Sequence, residues 1–116
     1  MYEITVTGIG EVVDELLAEN MIVLFGPTVP NELRDICVAH DGKPTDLEIV
    51  REGGSVVIGN QEYAVVACGD AANTNMGGLG HMTVVFGGVG ELLPGSIRVE
   101  PSTHPTIAVG DTICFR

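Results

Sequence analysis

From residue 53 onward the sequence alternates short apolar runs with turns, and this alternation restricts the fold more than any other feature. The runs are rich in Val, Ile and Phe, and they are bounded by Gly, Pro and Asn, a pattern typical of β-strands. They read SVVIG, EYAVVACG, HMTVVFGG, GSIRVEP and DTICFR. The chain contains 16 glycines, far more than a helical bundle tolerates, because glycine weakens regular elements and permits turns.

The first half of the chain is predicted to add three strands and one helix. Val12, Val13, Leu16 and Leu17 form one apolar stripe at helical spacing, which indicates a helix over residues 11–19. Alternating or continuous apolar runs indicate the strands, at residues 4–7, 21–26 and 36–40.

The sequence also predicts the structure of two connecting segments. Asn31 is expected to cap a single helical turn over residues 32–34. Residues 70–80 are expected to form a long loop, because Asn and Gly are frequent there.

These elements predict an all-β fold: a small closed antiparallel β-barrel with one short helix packed on it. A chain of 116 residues is long enough to bury a core without disulfides. Residues 1–116 are therefore expected to form a single domain.

Charge and cysteine usage limit the partners and the compartment. The formal net charge of −11 repels phosphate backbones and anionic lipid, so we expect neither nucleic-acid binding nor binding to a membrane surface. No apolar run approaches the roughly 20 residues that span a bilayer, and the N-terminus does not resemble a signal peptide. Cys37, Cys68 and Cys114 are odd in number and far apart, which favours a reducing compartment. A cytoplasmic protein without membrane insertion is expected.

No motif for a bound cofactor is convincing. Gly8-Ile9-Gly10 lies between a predicted strand and a helix, but Val13 replaces the third glycine of a dinucleotide-binding loop. Acidic residues also crowd the start of that helix, where a phosphate would have to bind. The P-loop and the Gly-x-Ser-x-Gly pattern are absent, so we expect no cofactor.

The three histidines are the best candidates for chemistry. His40 ends one predicted strand next to the Asp41-Gly42 turn, where its ring is expected to reach solvent, and His81 begins another strand on the face of Thr83. If those strands run antiparallel, the two histidines lie at the same rim and share a polar pocket. A metal site with Cys37 is geometrically poor, because positions 37 and 40 of a strand face opposite sides. The residues alone leave open a buried histidine that only satisfies hydrogen bonds.

A longer set of motifs resembles a known family. The segment GNQEYAVVACGDAANTNMGGLGHMTVVFGG, followed by LPGSIRVEP and GDTICF, is similar to the glucitol/sorbitol-specific enzyme IIA component of the bacterial sugar phosphotransferase system. The upstream segment PNELRDICVAH resembles the part of that family that carries the phosphorylated histidine. The resemblance is collinear from Ile4 to Phe115.

The resemblance implies a function and roles for particular residues. Such a protein accepts a phosphoryl group from the phosphocarrier HPr on one histidine. It then passes the group to a cysteine of the enzyme IIB component, which works with the IIC membrane component in the uptake of a sugar alcohol. By position in the motif, His40 is the phospho-acceptor, and His81 and Thr83 have supporting roles. Neither a metal nor a nucleotide is implied.

Two other functions are compatible with the residues. The first is a non-catalytic β-barrel module that binds a small ligand or a protein at the glycine-rich rim. The second is a metal protein that uses the histidines as ligands.

Overall fold

A computed structural model describes residues 1–116, and eight strands of the chain close into a barrel. The strands are β1 (Tyr2–Ile9), β2 (Met21–Phe25), β3 (Cys37–His40), β4 (Ser55–Ile58), β5 (Gln61–Cys68), β6 (Met82–Phe86), β7 (Ser96–Glu100) and β8 (Thr112–Phe115). The helices are α1 (Val13–Ala18) and α2 (Ala72–Leu79), with a 3₁₀ helix over Asn31–Ile36.

The strands follow the order β1-β3-β2-β6-β7-β5-β4-β8 around the barrel. Because β1 pairs with both β3 and β8, the sheet has no free edge on which another chain could add a strand. The predicted all-β closed barrel is confirmed.

The barrel is not antiparallel throughout. Six neighbouring pairs are antiparallel, but β2 pairs with β3 in parallel and β6 pairs with β7 in parallel. Parallel neighbours need a connection longer than a hairpin turn. Residues 26–36, which include the 3₁₀ helix, and residues 87–95 provide these two connections.

The core lies inside the barrel and follows the alternation of each strand. In β6, Met82, Val84 and Phe86 are buried while the residues between them are only half-buried. One connected cluster of 21 buried residues unites the inward side chains of the strands with Val13 from α1 and Met76 from α2. The apolar runs of the sequence therefore supply the core that closes the barrel.

The two helical segments of the first half differ in detail from the prediction. The α1 helix is shorter than residues 11–19, because the chain forms only a turn before Val13. The 3₁₀ helix begins after Pro30, and its start has no side-chain cap. The prediction that Asn31 caps this segment was wrong, since the Asn31 side chain accepts a hydrogen bond from Arg34 instead, at 3.1 Å.

The predicted loop over residues 70–80 is in fact largely helical and forms α2. Its glycines and asparagines favour turns in isolation, but Ala72 and Met76 are four residues apart and both are buried in the core. Asn73 also ties the helix to the preceding segment, because its side-chain oxygen accepts hydrogen bonds from the amides of Ile49 and Val50, both at 2.8 Å. Tertiary contacts thus stabilise a helix that its own residues disfavour.

The position of Phe86 gives a test of the core. Phe86 is 1% exposed and meets the Tyr63 ring edge-on, with centroids 5.2 Å apart. We expect Phe86→Ala to lower the free energy of unfolding by about 3–5 kcal/mol, because it leaves a cavity. Val89→Ala, at a residue that is 97% exposed, is the control and should change it by less than about 0.5 kcal/mol. Chemical denaturation measures both, and equal effects would contradict this core.

Candidate functional site

The ring of His40 is buried between two backbone groups. His40 is 1% exposed, and it points to the barrel interior, on the same side as Val38. Its Nδ1 atom accepts a hydrogen bond from the amide of Gly42 at 3.0 Å, and its Nε2 atom lies 2.8 Å from the carbonyl oxygen of Gly80. An amide can only donate and a carbonyl can only accept, so these partners select the neutral tautomer with the proton on Nε2. The ring does not reach solvent, contrary to the expectation from the sequence.

The loop that holds Nδ1 is fixed to β1. The Thr5 amide donates to the Asp41 carboxylate at 2.8 Å, and the Asp41 amide donates to the Thr5 carbonyl at 3.1 Å. The Tyr2 hydroxyl donates to the Lys43 carbonyl at 3.0 Å. Gly42 is packed so closely that a Cβ atom there would lie 2.7 Å from the Tyr2 hydroxyl oxygen. These contacts determine where the Gly42 amide meets the ring.

Burial also controls the charge of His40. Desolvation lowers the pKa of the ring below its ordinary value of 6.5. The hydrogen bond to Gly80 and the negative charge of Asp41 act in the opposite direction, but they are the smaller effects. The ring is therefore neutral at pH 7, and a neutral imidazole is the form that can act as a nucleophile.

His81 lies at the same rim as His40 but on the outer face of the barrel. Its ring stacks on Phe25, with centroids 4.6 Å apart, and its Nδ1 atom lies 3.2 Å from the Leu24 carbonyl oxygen. The strand end at His40 and the strand start before Met82 do meet, because Gly80 contacts the His40 ring. The two histidine side chains nevertheless contact different groups and do not hydrogen-bond to each other.

The remaining candidates, Thr83 and His104, make no hydrogen bond to the His40 ring. Thr83 lies on the outer face of β6, where its amide donates to the Gly95 carbonyl at 3.2 Å. Its side chain is not a hydrogen-bond partner of His40. His104 is exposed and hydrogen-bonds to the Asn20 side chain at 2.7 Å.

A cavity of about 300 Å³ lies directly outside His40. It is lined by Pro27, Thr28, Asp41, Gly42, Lys43, Pro44, Gly78, Leu79 and Gly80. We call this space the His40 cavity. Gly42 and Gly80 belong both to its wall and to the two hydrogen bonds of the ring, so only backbone separates the cavity from the ring nitrogens.

The other motifs singled out in the sequence have structural explanations. A Cβ atom at Gly10 would collide with the carbonyls of Arg34 and Asp35, so this glycine permits a close backbone approach. Cys37 is buried beside Phe25 and Val29, on the opposite side of β3 from Val38 and His40. No group of three His, Cys, Asp or Glu side chains is arranged to hold a metal ion.

Two residues that shape the surroundings of His40 were not evident from the sequence. The first is Gly80, whose backbone at φ +67° ends α2 and directs its carbonyl at His40. A glycine after a helical segment is the usual signal for such an end, but the helix itself was not predicted. The second is Asn73, which holds α2 in place and has no recognisable sequence signal.

Comparison with known proteins identifies the family. A sequence model of the family described as PTS system glucitol/sorbitol-specific IIA component matches residues 1–114. The chain belongs to this family. PTS denotes the phosphoenolpyruvate-dependent sugar phosphotransferase system, so the protein is a IIA component, a phosphoryl carrier and hence a transferase. A non-catalytic binding module is not favoured.

Individual relatives are similar to this chain along nearly its whole length. The glucitol/sorbitol-specific EIIA components of Shigella flexneri and Escherichia coli K12 are each 30% identical over 117 residues, which covers 99% of this chain and 94% of theirs. The crystal structure of a PTS system IIA component from Enterococcus faecalis V583 superposes with a TM-score of 0.89 at 29% identity. It covers 97% of this chain and 98% of that one. No helix of the IIA protein is long and apolar enough to cross a membrane.

The hydrogen bonds of His40 predict its tautomer. Long-range ¹H–¹⁵N spectra at pH 7.5 should show a proton on Nε2 and none on Nδ1, because the Gly42 amide occupies Nδ1. A proton on Nδ1 would contradict the assigned geometry.

The lowered pKa predicts how stability depends on pH. Below pH 6.5 the unfolded chain binds a proton at His40 that the folded chain does not bind, so folding becomes less favourable as the pH falls from 6.5 towards the lowered pKa. Denaturant unfolding at pH 7.5 and 5.5 should therefore show higher stability at pH 7.5. In His40→Gln this part of the dependence should be absent. An identical pH dependence in the two proteins would show that His40 is not the responsible group.

Proposed function

We propose that the IIA protein accepts a phosphoryl group from HPr on His40 and passes it to a cysteine of the enzyme IIB component. IIB then acts with the IIC membrane component in the uptake and phosphorylation of a glucitol/sorbitol-like sugar alcohol. The observation that carries the proposal is the neutral ring of His40 held between the Gly42 amide and the Gly80 carbonyl beside a cavity. The first transfer and the second both take place in the cytoplasm.

The first transfer exchanges a proton for a phosphoryl group. The attacking nitrogen must carry a lone pair, so for attack by Nε2 the ring proton first moves through solvent from Nε2 to Nδ1. Nε2 then attacks phosphorus, and the bond from phosphorus to the nitrogen of the donor histidine breaks with its electron pair on that nitrogen. The proton that leaves the His40 ring passes through solvent to the donor imidazole, so both rings end neutral. In the second transfer the cysteine sulfur attacks phosphorus, and the bond from phosphorus to the His40 nitrogen breaks with its electron pair on that nitrogen. The thiol proton passes to the His40 ring, which again ends neutral.

The residues around His40 act mainly by positioning the ring and the phosphoryl group. Phosphoryl transfer depends mainly on in-line positioning and on stabilising charge around phosphorus. Where Nε2 is the nitrogen that becomes phosphorylated, the neutral product has its lone pair on Nδ1, so the Gly42 amide donates to Nδ1 in the phosphorylated ring as it does in the free one. Lys43 is one of only five basic residues of the chain and lines the His40 cavity, where its positive charge favours a phosphoryl group.

His81 and Thr83 are proposed to support the transfer from the outer face of the same rim. His81 Nδ1 donates to the Leu24 carbonyl at 3.2 Å. The stacking on Phe25 fixes the ring at a site that a docked partner can reach, because His81 is only half-buried.

The partners and the sugar are supported by charge and by the relatives. A net charge of −11 favours docking to proteins with basic faces. The relatives from Shigella flexneri and Escherichia coli carry glucitol/sorbitol specificity in their names, which supports a sugar alcohol as the substrate of the transport system. A IIA component does not bind the sugar itself, so this specificity is tested by which IIB and IIC components accept its phosphoryl group.

Phosphorylation can be assayed directly. Purified IIA protein with enzyme I, HPr and phosphoenolpyruvate should take up one acid-labile phosphate, and His40→Ala should take up none. His104→Ala, at an exposed histidine, is the matched control and should be labelled like the unmodified protein. His81→Ala should still be labelled but should pass its phosphate to IIB more slowly.

Two outcomes would reject these roles. Equal labelling of His40→Ala and the unmodified protein would remove His40 as the acceptor. Complete loss of labelling in His81→Ala, with the fold intact, would make His81 the acceptor or essential to the first step.

A further inference from the structure

His40 is closed off in this structure, although the proposed reaction requires access to one of its nitrogens. The residue is 1% exposed, and each ring nitrogen has a backbone partner within 3.0 Å. The His40 cavity reaches Gly42 and Gly80 but not the ring itself. One of these two backbone groups must therefore move before phosphorus can approach.

The Gly42 side is held firmly. Three hydrogen bonds connect Asp41 and Lys43 to Thr5 and Tyr2 on β1, at 2.8–3.1 Å. Gly42 itself is packed against the Tyr2 and Ile4 side chains. Moving this loop would separate it from a strand of the barrel wall.

The Gly80 side belongs to an exposed turn. The turn Gly78–Gly80 ends α2, and Gly78 and Leu79 are exposed, with Leu79 51% exposed. Besides the bond from His40 and the bonds within α2, backbone hydrogen bonds at Leu79 and Gly80 hold the turn. The Gly26 amide donates to the Leu79 carbonyl at 3.0 Å, and the Gly80 amide donates to the Met76 carbonyl at 2.9 Å.

The residue before the turn is fixed in place. The Thr45 amide donates to the Gly77 carbonyl at 2.9 Å, and a Cβ atom at Gly77 would collide with the Thr45 carbonyl. Gly80 is also required in this arrangement, because its φ is +67° and a Cβ atom there would lie 2.6 Å from the His40 ring. A movement of the turn would therefore begin after Gly77.

Gly78 is a glycine that the closed arrangement does not require. A Cβ atom there would meet nothing within 4 Å, and its φ lies outside the left-handed region. Alanine in a helix is favoured over glycine by an amount that corresponds to about a fivefold change in the equilibrium constant. The closed structure thus gives no reason for glycine at 78, whereas a hinge does, because glycine has the widest range of backbone conformations.

We propose that the turn Gly78–Gly80 is a lid over His40, that it moves away from Nε2 before phosphoryl transfer, and that Gly78 is its hinge. The proposal rests on the proposed function of His40. Opening breaks the hydrogen bond that His40 Nε2 donates to the Gly80 carbonyl. It also breaks the bonds from the Gly26 amide to Leu79 and from the Gly80 amide to Met76, while the bond from the Thr45 amide to the Gly77 carbonyl remains. Gly78 is then a positioning residue, since it acts through the Gly80 carbonyl and does not touch the reacting atoms.

Gly78→Ala tests the hinge in the full-length protein. The substitution favours the closed helix, so phosphorylation by HPr should be about three- to fivefold slower in single-turnover labelling. Thr74→Ala is the matched control, because it raises helix propensity at an exposed position of α2 on the fixed side of Gly77. It should be labelled within about twofold of the unmodified rate.

Hydrogen exchange supplies a readout that does not depend on catalysis. The Gly26 amide should exchange faster than that of Val84, which lies in the barrel core. In Gly78→Ala its exchange should slow by about the same three- to fivefold factor as the labelling, while exchange at Val84 is unchanged.

The possible failures are distinguishable. If the Gly26 amide exchanges no faster than Val84, or Gly78→Ala is labelled at the unmodified rate, the lid is rejected. Slower labelling without slower exchange at Gly26 would place Gly78 in a docking surface and also reject the hinge. If the unmodified protein takes up no phosphate on His40, the proposed function fails, and the exchange of Gly26 alone then decides whether the turn opens.

Discussion

Two hydrogen bonds to one buried ring connect the backbone segments at this rim of the barrel. His40 and Ser96 are the polar residues among the 32 buried ones, and a polar ring in an apolar interior is costly unless its nitrogens have partners. The Gly42 amide and the Gly80 carbonyl meet this requirement from opposite sides. The ring thereby joins the loop after β3 to the end of α2.

The contacts that bury the His40 ring have two opposite effects on its reactivity. Burial keeps His40 neutral, which suits a nucleophile, but burial also covers both nitrogens. In the proposed function, the ring must be neutral when it attacks phosphorus, and it must be uncovered twice in each cycle, once to receive the phosphoryl group and once to release it. The turn at the end of α2, where Gly78 and Leu79 are exposed, is the side of the enclosure that covers Nε2.

The sequence allowed the barrel to be predicted but not the arrangement of its connections. All eight strands were indicated by apolar runs, because alternation along a strand is a local property. The parallel pairing of β2 with β3 and of β6 with β7 was not predicted, since it depends on the path of the connecting segments. The α2 helix was missed because Asn73, Gly77 and Gly78 favour turns locally, whereas Asn73 stabilises the helix through residues 49 and 50.

For the site, the sequence by itself determined that His40 ends a strand beside a turn and that His81 lies at the start of another apolar run, directly before β6. The spacing of Cys37 and His40 also determined that their side chains face opposite ways. Only the tertiary structure decided that the His40 ring is buried and that His81 and Thr83 lie on the other face of the wall. The physical reason is that the Gly80 carbonyl, 40 residues away in the chain, reaches His40 only after the barrel has closed and α2 has packed on its core.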